Sequence, residues 1–241
     1  LGKIILRDFQ KKKKKKKIFD TQNKVLKEIQ KQSNEALFFQ NLNKIKWDKL
    51  NYIMICVKPY DSKKVLKEIE KYCLEKHIIV SFVAGLKTRI ISKLTKSKTK
   101  IIRVMPNIFI SSNNSATAMF SENLDKNQKN KFYKDFGHFG SLVWLKQESK
   151  LDFFTAMLGG GPAYFFYILD CFNKLIKRNG FNSRDSLSLI TSLLKGTLES
   201  IKQGDDDFGA KIKKVASKGG TTEEALKVFS KKNEMLHILE R

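Results

Sequence analysis

The sequence predicts an α/β domain with a doubly wound parallel sheet, followed by an all-helical domain. Up to about residue 150, short runs rich in β-branched and aromatic residues alternate with runs at helical spacing, as in a sheet covered by helices. Beyond that point only the helical spacing continues. The 241 residues, of which 41% are hydrophobic, are enough for two such domains. We expect them to span residues 1–150 and 151–241.

Six short segments of the first domain have the composition of strands. Residues 52–57 and 78–83 are continuous apolar runs, as expected of central strands that are covered on both faces. Between them, the apolar residues of 62–74 recur at helical spacing, which predicts a crossover helix. Another helix is expected to begin at or just before Leu1. The other strands are expected at residues 17–19 and 101–105 and, with a weaker pattern, at 116–120 and 141–145.

The second domain has the pattern of helices separated by glycines. The apolar residues of 165–176 fall on one helical face, and Gly180 is placed to end that helix. The glycines and proline of 159–162 predict a loop that leads into this helix, which we expect to be buried. Ser183 can cap the next helix, over residues 187–201. Further helices are expected over residues 208–216 and from Thr222 to the end.

The charge balance is strongly basic. The chain has 48 lysines and arginines against 24 acidic residues, so its formal net charge is +24, which could attract a polyanion. However, the lysines are spread along the chain, and the one dense run, from Lys11 to Lys17, has no aromatic residues for stacking on bases. We therefore expect a solvated loop at this run and no nucleic-acid partner.

The cysteines and the longest apolar run bear on the compartment. Cys56, Cys73 and Cys171 are far apart, which argues against a disulfide framework and is typical of a reducing compartment. No cysteine or histidine pair has metal-ligand spacing, so no metal site is expected. The uncharged run 153–169 is interrupted by glycines and proline and is shorter than the roughly 20 apolar residues of a membrane span. We expect a cytoplasmic protein without a membrane segment.

Small, proline or polar residues follow three of the predicted strands. In a doubly wound sheet, ligands bind beyond the carboxyl ends of the strands. Any one of these segments could serve only to turn the chain. Because three successive strand ends share this composition, we favour a ligand site there. The segments are Val57-Lys58-Pro59, Val83-Ala84-Gly85 and Met105-Pro106-Asn107.

Two residues near the N-terminus are compatible with dinucleotide binding. Gly2 could be the last glycine of a dinucleotide-binding fingerprint, with the first strand and the first two glycines outside this chain. Asp20 follows the second strand of such a domain, where an acidic residue would bind the ribose hydroxyls. The alternative for Asp20 is an ordinary turn residue at the surface.

The segment from Ser217 to Thr222 precedes a predicted helix. The N–H groups of Gly220, Thr221 and Thr222 would point outward from the helix start, where unpaired donors and the helix dipole attract a carboxylate or a phosphate. The hydroxyls of Ser217 and Thr222 would add donors. The alternative is a helix cap only, with the two glutamates that follow stabilising the first turn.

Taken together, these motifs resemble those of the pyrroline-5-carboxylate reductase family, in order and in spacing. The resemblance covers nearly the whole chain from Gly2 onward, and its two motifs in the helical domain are the most specific. The strand-end motifs are shared with a broader set of nucleotide-binding proteins. The motifs are Val57-Lys58-Pro59, Ala84-Gly85, Arg103-Val104-Met105-Pro106-Asn107, Gly161-Pro162-Ala163-Tyr164 and Ser217-Lys218-Gly219-Gly220-Thr221-Thr222.

The resemblance implies a fold, an activity and an assembly. The fold would be a Rossmann-type NAD(P)-binding domain followed by a helical dimerisation domain, assembled as a homo-oligomer, either a dimer or a ring of dimers. The activity would be the reduction of 1-pyrroline-5-carboxylate to L-proline by NADPH or NADH. Because the chemistry is a hydride transfer from the cofactor to an electrophilic imine, positioning supplies much of the acceleration.

The resemblance also implies the residues of the site. The substrate carboxylate and imine would be held by Ser217, Gly220, Thr221 and Thr222. Thr222 would hydrogen-bond the ring nitrogen as a positioning group that could also relay a proton. Asn43 would lie near the adenosine ribose. The positions that line the cofactor would be Cys56, Val57, Lys58, Pro59, Phe82, Val83 and Ala84.

Some residues depart from the family pattern, and others give conflicting indications of which cofactor is used. Lys218 stands where many members have proline, and Gly160 replaces a common serine. Asp20 would repel a 2′-phosphate and favour NADH, whereas Lys24 and Asn43 could accommodate that phosphate. The alternatives to the main interpretation are a related reductase that acts on another small acid and a non-enzyme, either a degenerate or truncated homologue or a basic nucleic-acid binder.

Overall fold

The computed structural model describes residues 16–19, 36–39, 41–96, 99–203, 207–231 and 234–240. The chain divides into two compact units, Leu1–Pro162 and Ala163–Arg241. The domain boundary after residue 150 stays a prediction of the sequence. The helix expected at Leu1 and most of the lysine run lie outside the described residues.

The strands of the first unit form a two-stranded and a five-stranded sheet. The two-stranded sheet is parallel, and the larger sheet has the order β3-β4-β5-β6-β7. In the larger sheet β5 and β6 are antiparallel, whereas the other neighbours are parallel. The strands are β1 (Lys16–Phe19), β2 (Ala36–Phe39), β3 (Tyr52–Ile55), β4 (Ile78–Ser81), β5 (Lys100–Pro106), β6 (Ser115–Phe120) and β7 (Gly140–Trp144).

The fold class predicted from the sequence is confirmed, with one antiparallel pairing that was not expected, between β5 and β6. A parallel connection needs a crossover of about a dozen residues or more. Only residues 107–114 join β5 to β6, and they form the 3-10 helix Ile108–Ser112, which Asn113 ends in the left-handed region at φ 62°. The chain therefore reverses there, and β6 runs back beside β5.

The larger sheet is covered on both faces, and its two apolar layers explain the continuous hydrophobic runs of its strands. Successive residues of a strand point to opposite faces. Accordingly Ile79 packs in one core cluster and Val80 in the other, and Ile101 and Ile102 are divided in the same way. All four side chains are buried.

Three of the described helices connect these strands. They are α1 (Pro59–Ile69), α2 (Thr88–Thr95) and α3 (Lys126–Phe136). Helix α1 begins at Pro59 rather than at residue 62, because proline lacks only an N–H that the first turn does not use. A 3-10 turn, Glu70–Tyr72, follows it, so the helix also ends before residue 74. Asp125 and Gln128 form a capping box at the start of α3.

The glycines and proline of 159–162, where the sequence predicted a loop, lie in a helical part of the chain. Helix α4 (Lys150–Phe154) continues into a π-helical turn, Thr155–Gly159, and α5 (Gly161–Arg178) follows. The Gly160 N–H donates to the Thr155 carbonyl at 3.0 Å and closes this turn. The prediction was wrong because glycine fits a helical turn of this kind and proline is tolerated at the start of a helix.

The described residues of the second unit form helices joined by turns, without a strand, as predicted. Gly180, at φ 91°, ends α5 as expected. The cap of the next helix is Asn182 rather than Ser183, because Asn182 has the extended backbone and its side chain accepts the Asp185 N–H. The last predicted helix is shorter than expected, since it ends at Phe229. The remaining helices are α6 (Ser183–Lys202), α7 (Phe208–Val215), α8 (Thr221–Phe229) and α9 (Glu234–Glu240).

Most of the large apolar side chains of α5 and α6 are not buried within the chain. Phe165 is 67% exposed, Tyr167 72% and Leu187 67%. The expected burial of this helix is therefore contradicted for the single chain. The apolar pattern of these helices requires a further surface to cover it. None of the described helices combines the length and the apolar character that a membrane crossing requires.

Candidate functional site

Two of the predicted cofactor segments lie at the same edge of the larger sheet. Strand β3 ends at Ile55, so residues 56–58 form the loop that leads into α1, and β4 ends at Ser81, so residues 82–87 lead into α2. The strands are parallel neighbours, and the Phe82 N–H donates to the Ile55 carbonyl at 3.0 Å. The carboxyl ends of β3 and β4 therefore open side by side, as a ligand site in this fold class requires.

The loop after β4 combines buried anchors with exposed small residues. Phe82 and Val83 are buried, whereas Ala84 is exposed. Gly85 follows at φ 71°, in the left-handed region that glycine adopts without strain, and its α-carbon faces open space. A ligand can thus approach the backbone closely at this turn.

The β3–α1 loop ends at the start of an 11-residue helix. Lys58 is its N-cap and makes no side-chain capping bond, so the dipole of α1 and the Lys58 charge both favour an anion at this end. Burial raises the pKa of the Cys56 thiol to about 12, so this cysteine stays protonated and lines the loop as a neutral group.

Asn43 is held against the end of α1. It lies in the 3-10 helix Leu42–Lys44, and its Oδ1 accepts the hydroxyl proton of Tyr72. Tyr72 in turn stacks on Trp47 with the ring centroids 4.8 Å apart. Gly2, proposed for the fingerprint, and Asp20, proposed for the ribose hydroxyls, lie outside the described residues, so their roles stay predictions.

His77 fixes the segment that carries Asn43, a contact that the sequence analysis did not predict. Its Nε2–H donates to the Trp47 carbonyl at 2.9 Å, while its Nδ1 accepts the Leu74 N–H at 3.1 Å. Burial lowers the pKa of the imidazole, since the charged form would lose water. A lone histidine in a sequence does not indicate such a contact, because both partners are backbone atoms.

The third predicted ligand segment, at the end of β5, has a structural role. After β5, the Asn107 side chain accepts the Phe109 N–H at 3.1 Å and donates from Nδ2 to the Leu158 carbonyl at 3.2 Å. Its backbone N–H donates to Ser115 Oγ at 3.0 Å. Asn107 thus joins the end of β5 to the π-helical turn and to β6. In the same motif, Arg103 is buried and pairs with Glu148, which the sequence did not single out.

The Ser217–Thr222 loop forms the tight turn at the start of α8. Gly219 has φ 74°, and the Gly220 N–H donates to the Ser217 carbonyl at 3.0 Å. A side chain on Gly220 would place its Cβ 2.7 Å from Ser217 Oγ and 3.1 Å from the Ser217 carbonyl oxygen. Only glycine fits this position without moving Ser217.

The start of α8 leaves backbone donors available. Gly220 is the N-cap and offers no side chain, while Glu223 Oε2 turns back to accept the Gly219 N–H at 2.6 Å. In the described part of the chain, no hydrogen bond engages the N–H groups of Thr221 and Thr222. Thr222 is half-buried. The loop therefore has both the capping contact from Glu223 and free donors for an anion.

Comparison with known proteins gives the family. A family model described as pyrroline-5-carboxylate reductase dimerisation matches residues 148–240. The pyrroline-5-carboxylate reductase of Aquifex aeolicus is 30% identical over 186 residues, which are 77% of this chain and 69% of that protein. The chain belongs to the pyrroline-5-carboxylate reductase family. The Staphylococcus epidermidis reductase is 28% identical over 181 residues, 75% of this chain and 66% of that protein.

Solved pyrroline-5-carboxylate reductases have the same fold. The Coxiella burnetii structure superposes with a TM-score of 0.84 at 23% identity, covering 99% of this chain and 88% of that one. The Plasmodium falciparum structure, which has NADP bound, gives 0.83 at 22% identity with the same coverage. The helical part of the chain thus matches a reductase dimerisation domain, and the family and fold inferred from the sequence motifs are confirmed.

Proposed function

We propose that this protein is an NAD(P)H-dependent oxidoreductase that reduces the C=N bond of 1-pyrroline-5-carboxylate to give L-proline, the last step of proline biosynthesis. The observation that carries the proposal is the start of α8, where a glycine turn leaves the N–H groups of Thr221 and Thr222 free. Such donors suit the carboxylate of a small acid. Membership of the reductase family supports the same activity.

The loop would fix the substrate without an arginine. The N–H groups of Gly220, Thr221 and Thr222 would surround the carboxylate, with the Ser217 hydroxyl beside them. The Thr222 hydroxyl would bond to the ring nitrogen, hold the imine in one orientation and relay a proton to it. Because the Gly219 N–H already bonds to Glu223, we assign the carboxylate to the donors that follow it. A protonated imine is electrophilic, so orientation supplies much of the rate.

The dinucleotide, either NADPH or NADH, would lie across the edge where β3 and β4 end. Its nicotinamide supplies the hydride when bound. The start of α1 and the open backbone at Gly85 fit a phosphate-bearing ligand. The residues proposed to line it are Cys56, Val57, Lys58, Pro59, Phe82, Val83 and Ala84, with Gly2, Asp20 and Asn43 at the fingerprint and ribose positions.

The choice between the two cofactors is proposed to depend on Asp20. Its carboxylate would favour the ribose hydroxyls of NADH, and Lys24 and Asn43 would favour the 2′-phosphate of NADPH. If Asp20 has this role, Asp20→Ala shifts the ratio of kcat/KM values toward NADPH, and an unchanged ratio removes Asp20 from the site. We place the enzyme in the cytoplasm, as a homo-oligomer.

The decisive experiment follows the oxidation of NADPH and of NADH by the purified protein with 1-pyrroline-5-carboxylate. Parallel assays with 2-keto acids and with other cyclic imines test the alternative of a related reductase for another small acid. We expect turnover with 1-pyrroline-5-carboxylate and a much lower kcat/KM for 2-keto acids. Binding of the dinucleotide without turnover of any of these compounds would identify a degenerate homologue and overturn the proposal.

A further inference from the structure

Glu148 accepts hydrogen bonds from two elements of the first unit, α2 and β5. Its Oε1 accepts the Thr88 backbone N–H at 2.7 Å and Arg103 Nη1 at 3.0 Å, and its Oε2 lies 3.3 Å from the Thr88 hydroxyl. The Arg103 side chain is only 4% exposed and that of Glu148 19%. A buried arginine requires a charged partner of this kind, because an unpaired charge in the interior is strongly unfavourable.

Glu148 acts as the cap of α2. Thr88 is the first residue of that helix, and the N-cap residue, Lys87, makes no side-chain capping bond. Glu148 replaces that bond from 60 positions along the chain. A carboxylate at a helix start is stabilised by the free N–H groups and the helix dipole, and it fixes where the helix begins.

The position of Glu148 is itself set by the helix that follows it. The Glu148 carbonyl accepts the Leu151 N–H at 3.0 Å in the turn that opens α4. Leu151 is buried and packs with Met105, Ala118 and Phe120. The backbone of Glu148 is therefore tied to a core residue, and the bonds from Arg103 and Thr88 hold its carboxylate at the start of α2.

We propose that Glu148, held by Arg103, is a positioning residue for the dinucleotide. The loop 82–87 ends at the helix start that Glu148 caps, and Phe82, Val83 and Ala84 in that loop are proposed to line the cofactor. The Glu148 carboxylate holds the C-terminal end of this loop in place, where α2 begins. Strand β4 holds its N-terminal end. The inference rests on the proposed function, because it concerns the site of the same cofactor.

Glu122 provides a matched control. It is a second glutamate at the start of α2, and its Oε1 lies 3.1 Å from the Thr88 hydroxyl. It is exposed, and it contacts neither the Thr88 N–H nor Arg103 in the described structure. Glu122→Gln thus removes a carboxylate of the same type from the same helix start without removing the cap.

The test measures Kd for NADPH and for NADH by fluorescence titration, with kcat and KM for 1-pyrroline-5-carboxylate and the Tm of each variant. The variants are Glu148→Gln, the double variant Arg103→Met with Glu148→Gln, and Glu122→Gln. We expect Glu148→Gln to raise the dinucleotide Kd roughly three- to tenfold, since only part of a lost charged hydrogen bond is passed on to the loop. KM for the imine and kcat should stay within about a factor of two.

The double variant separates positioning from stability. Arg103→Met removes the unpaired charge that Glu148→Gln leaves, so the Tm should recover, because apolar groups often replace a buried ion pair without loss. The dinucleotide Kd should stay raised, because α2 still lacks its carboxylate cap. A Kd that recovers together with the Tm, or that changes equally in Glu122→Gln, would overturn the inference. If the wild-type protein binds neither dinucleotide, the proposed function itself fails.

Discussion

At the start of α8, the hydroxyl of Thr222 tests whether the loop is a binding site or only a helix cap. Removing one hydrogen bond to a charged group costs about 1.5–3 kcal/mol, or roughly a tenfold to hundredfold loss in kcat/KM. We expect Thr222→Ala to lower kcat/KM for 1-pyrroline-5-carboxylate by that factor and to leave the Kd for NADPH nearly unchanged. Steady-state kinetics with a cofactor titration measure both quantities.

The control for Thr222 is a threonine elsewhere in the helical unit. The Thr197 hydroxyl is bonded within its own helix, to the Leu193 carbonyl at 2.9 Å. Thr197→Ala should therefore leave kcat/KM close to the wild-type value. Equal losses in the two variants would show that the effect comes from the helices in general and not from the α8 loop.

His77 makes the stability of the first unit depend on pH. Burial lowers the pKa of His77 in the folded protein below the ordinary value of 6.5. Below pH 6.5 the imidazole is therefore protonated in the unfolded chain before it is protonated in the folded chain. The free energy of unfolding is therefore at its full value above about pH 6.5 and falls, by at most about 1.4 kcal/mol per pH unit, as the pH drops toward the folded-state pKa.

The measurement is the Tm between about pH 7 and pH 5, where this proton is taken up. His77→Gln removes the titrating group and should flatten the decrease, although its Tm at neutral pH is lower. His237→Gln alters a histidine whose side chain is 58% exposed and should leave the decrease as it is. A wild-type Tm that does not change over this range would exclude the role of His77.

Among the secondary-structure elements, α6 offers a direct comparison between two neighbouring capping candidates. Asn182 Oδ1 accepts the Asp185 N–H at 2.9 Å, whereas Ser183 is the first residue of the helix itself. Replacing an N-cap residue by alanine typically costs about 1 kcal/mol. We expect Asn182→Ala to lower the free energy of unfolding by that amount and Ser183→Ala to lower it by much less. Urea denaturation of both variants measures the two losses. A larger loss of stability in Ser183→Ala than in Asn182→Ala would show that Ser183 is the cap.

The elements that the sequence predicted best are those with a long apolar run. Strands β3, β4 and β5 were found because both faces of the sheet are covered, which leaves a continuous hydrophobic signal. Helices α2 and α3 were not singled out, because α2 has only eight residues and four of the eleven residues of α3 are lysines. The capping box of Asp125 and Gln128 was the signal that could have located α3.

Of the candidate site, the loops after β3 and β4 and the turn before α8 could be predicted, because glycine and proline punctuate them. The contact between Arg103 and Glu148 could not, since it joins residues 45 positions apart through a bend of the chain that only tertiary packing defines. The same holds for His77, whose partners are backbone atoms.

For the whole molecule, the exposed apolar faces of α5 and α6 predict an assembly of at least two chains. The family model that matches this part of the chain is a dimerisation model. Burying a side chain such as Leu187 contributes about 1.5–3 kcal/mol, so a glutamate there should weaken the interface strongly. We expect light scattering at micromolar concentration to give at least a dimer for the wild type and a smaller species for Phe165→Glu or Leu187→Glu.

The matched control is Arg178→Glu, which places the same side chain in the last turn of α5 at an exposed, polar position. It should leave the oligomeric state unchanged. A wild-type protein that is monomeric at these concentrations would leave the apolar faces of α5 and α6 unexplained and would contradict the prediction.

The reversal between β5 and β6 has a consequence for how the chain folds. Residues 107–114 close this pair, whereas β3–β4 and β4–β5 must wait for the longer segments 56–77 and 82–99. Closing a short loop costs less entropy, so the antiparallel pair is the natural nucleus. In stopped-flow experiments Val104→Ala in β5 should slow refolding, whereas Ile53→Val in β3 should mainly speed unfolding. The one antiparallel pair of the described sheet would then be the place where that sheet starts to form.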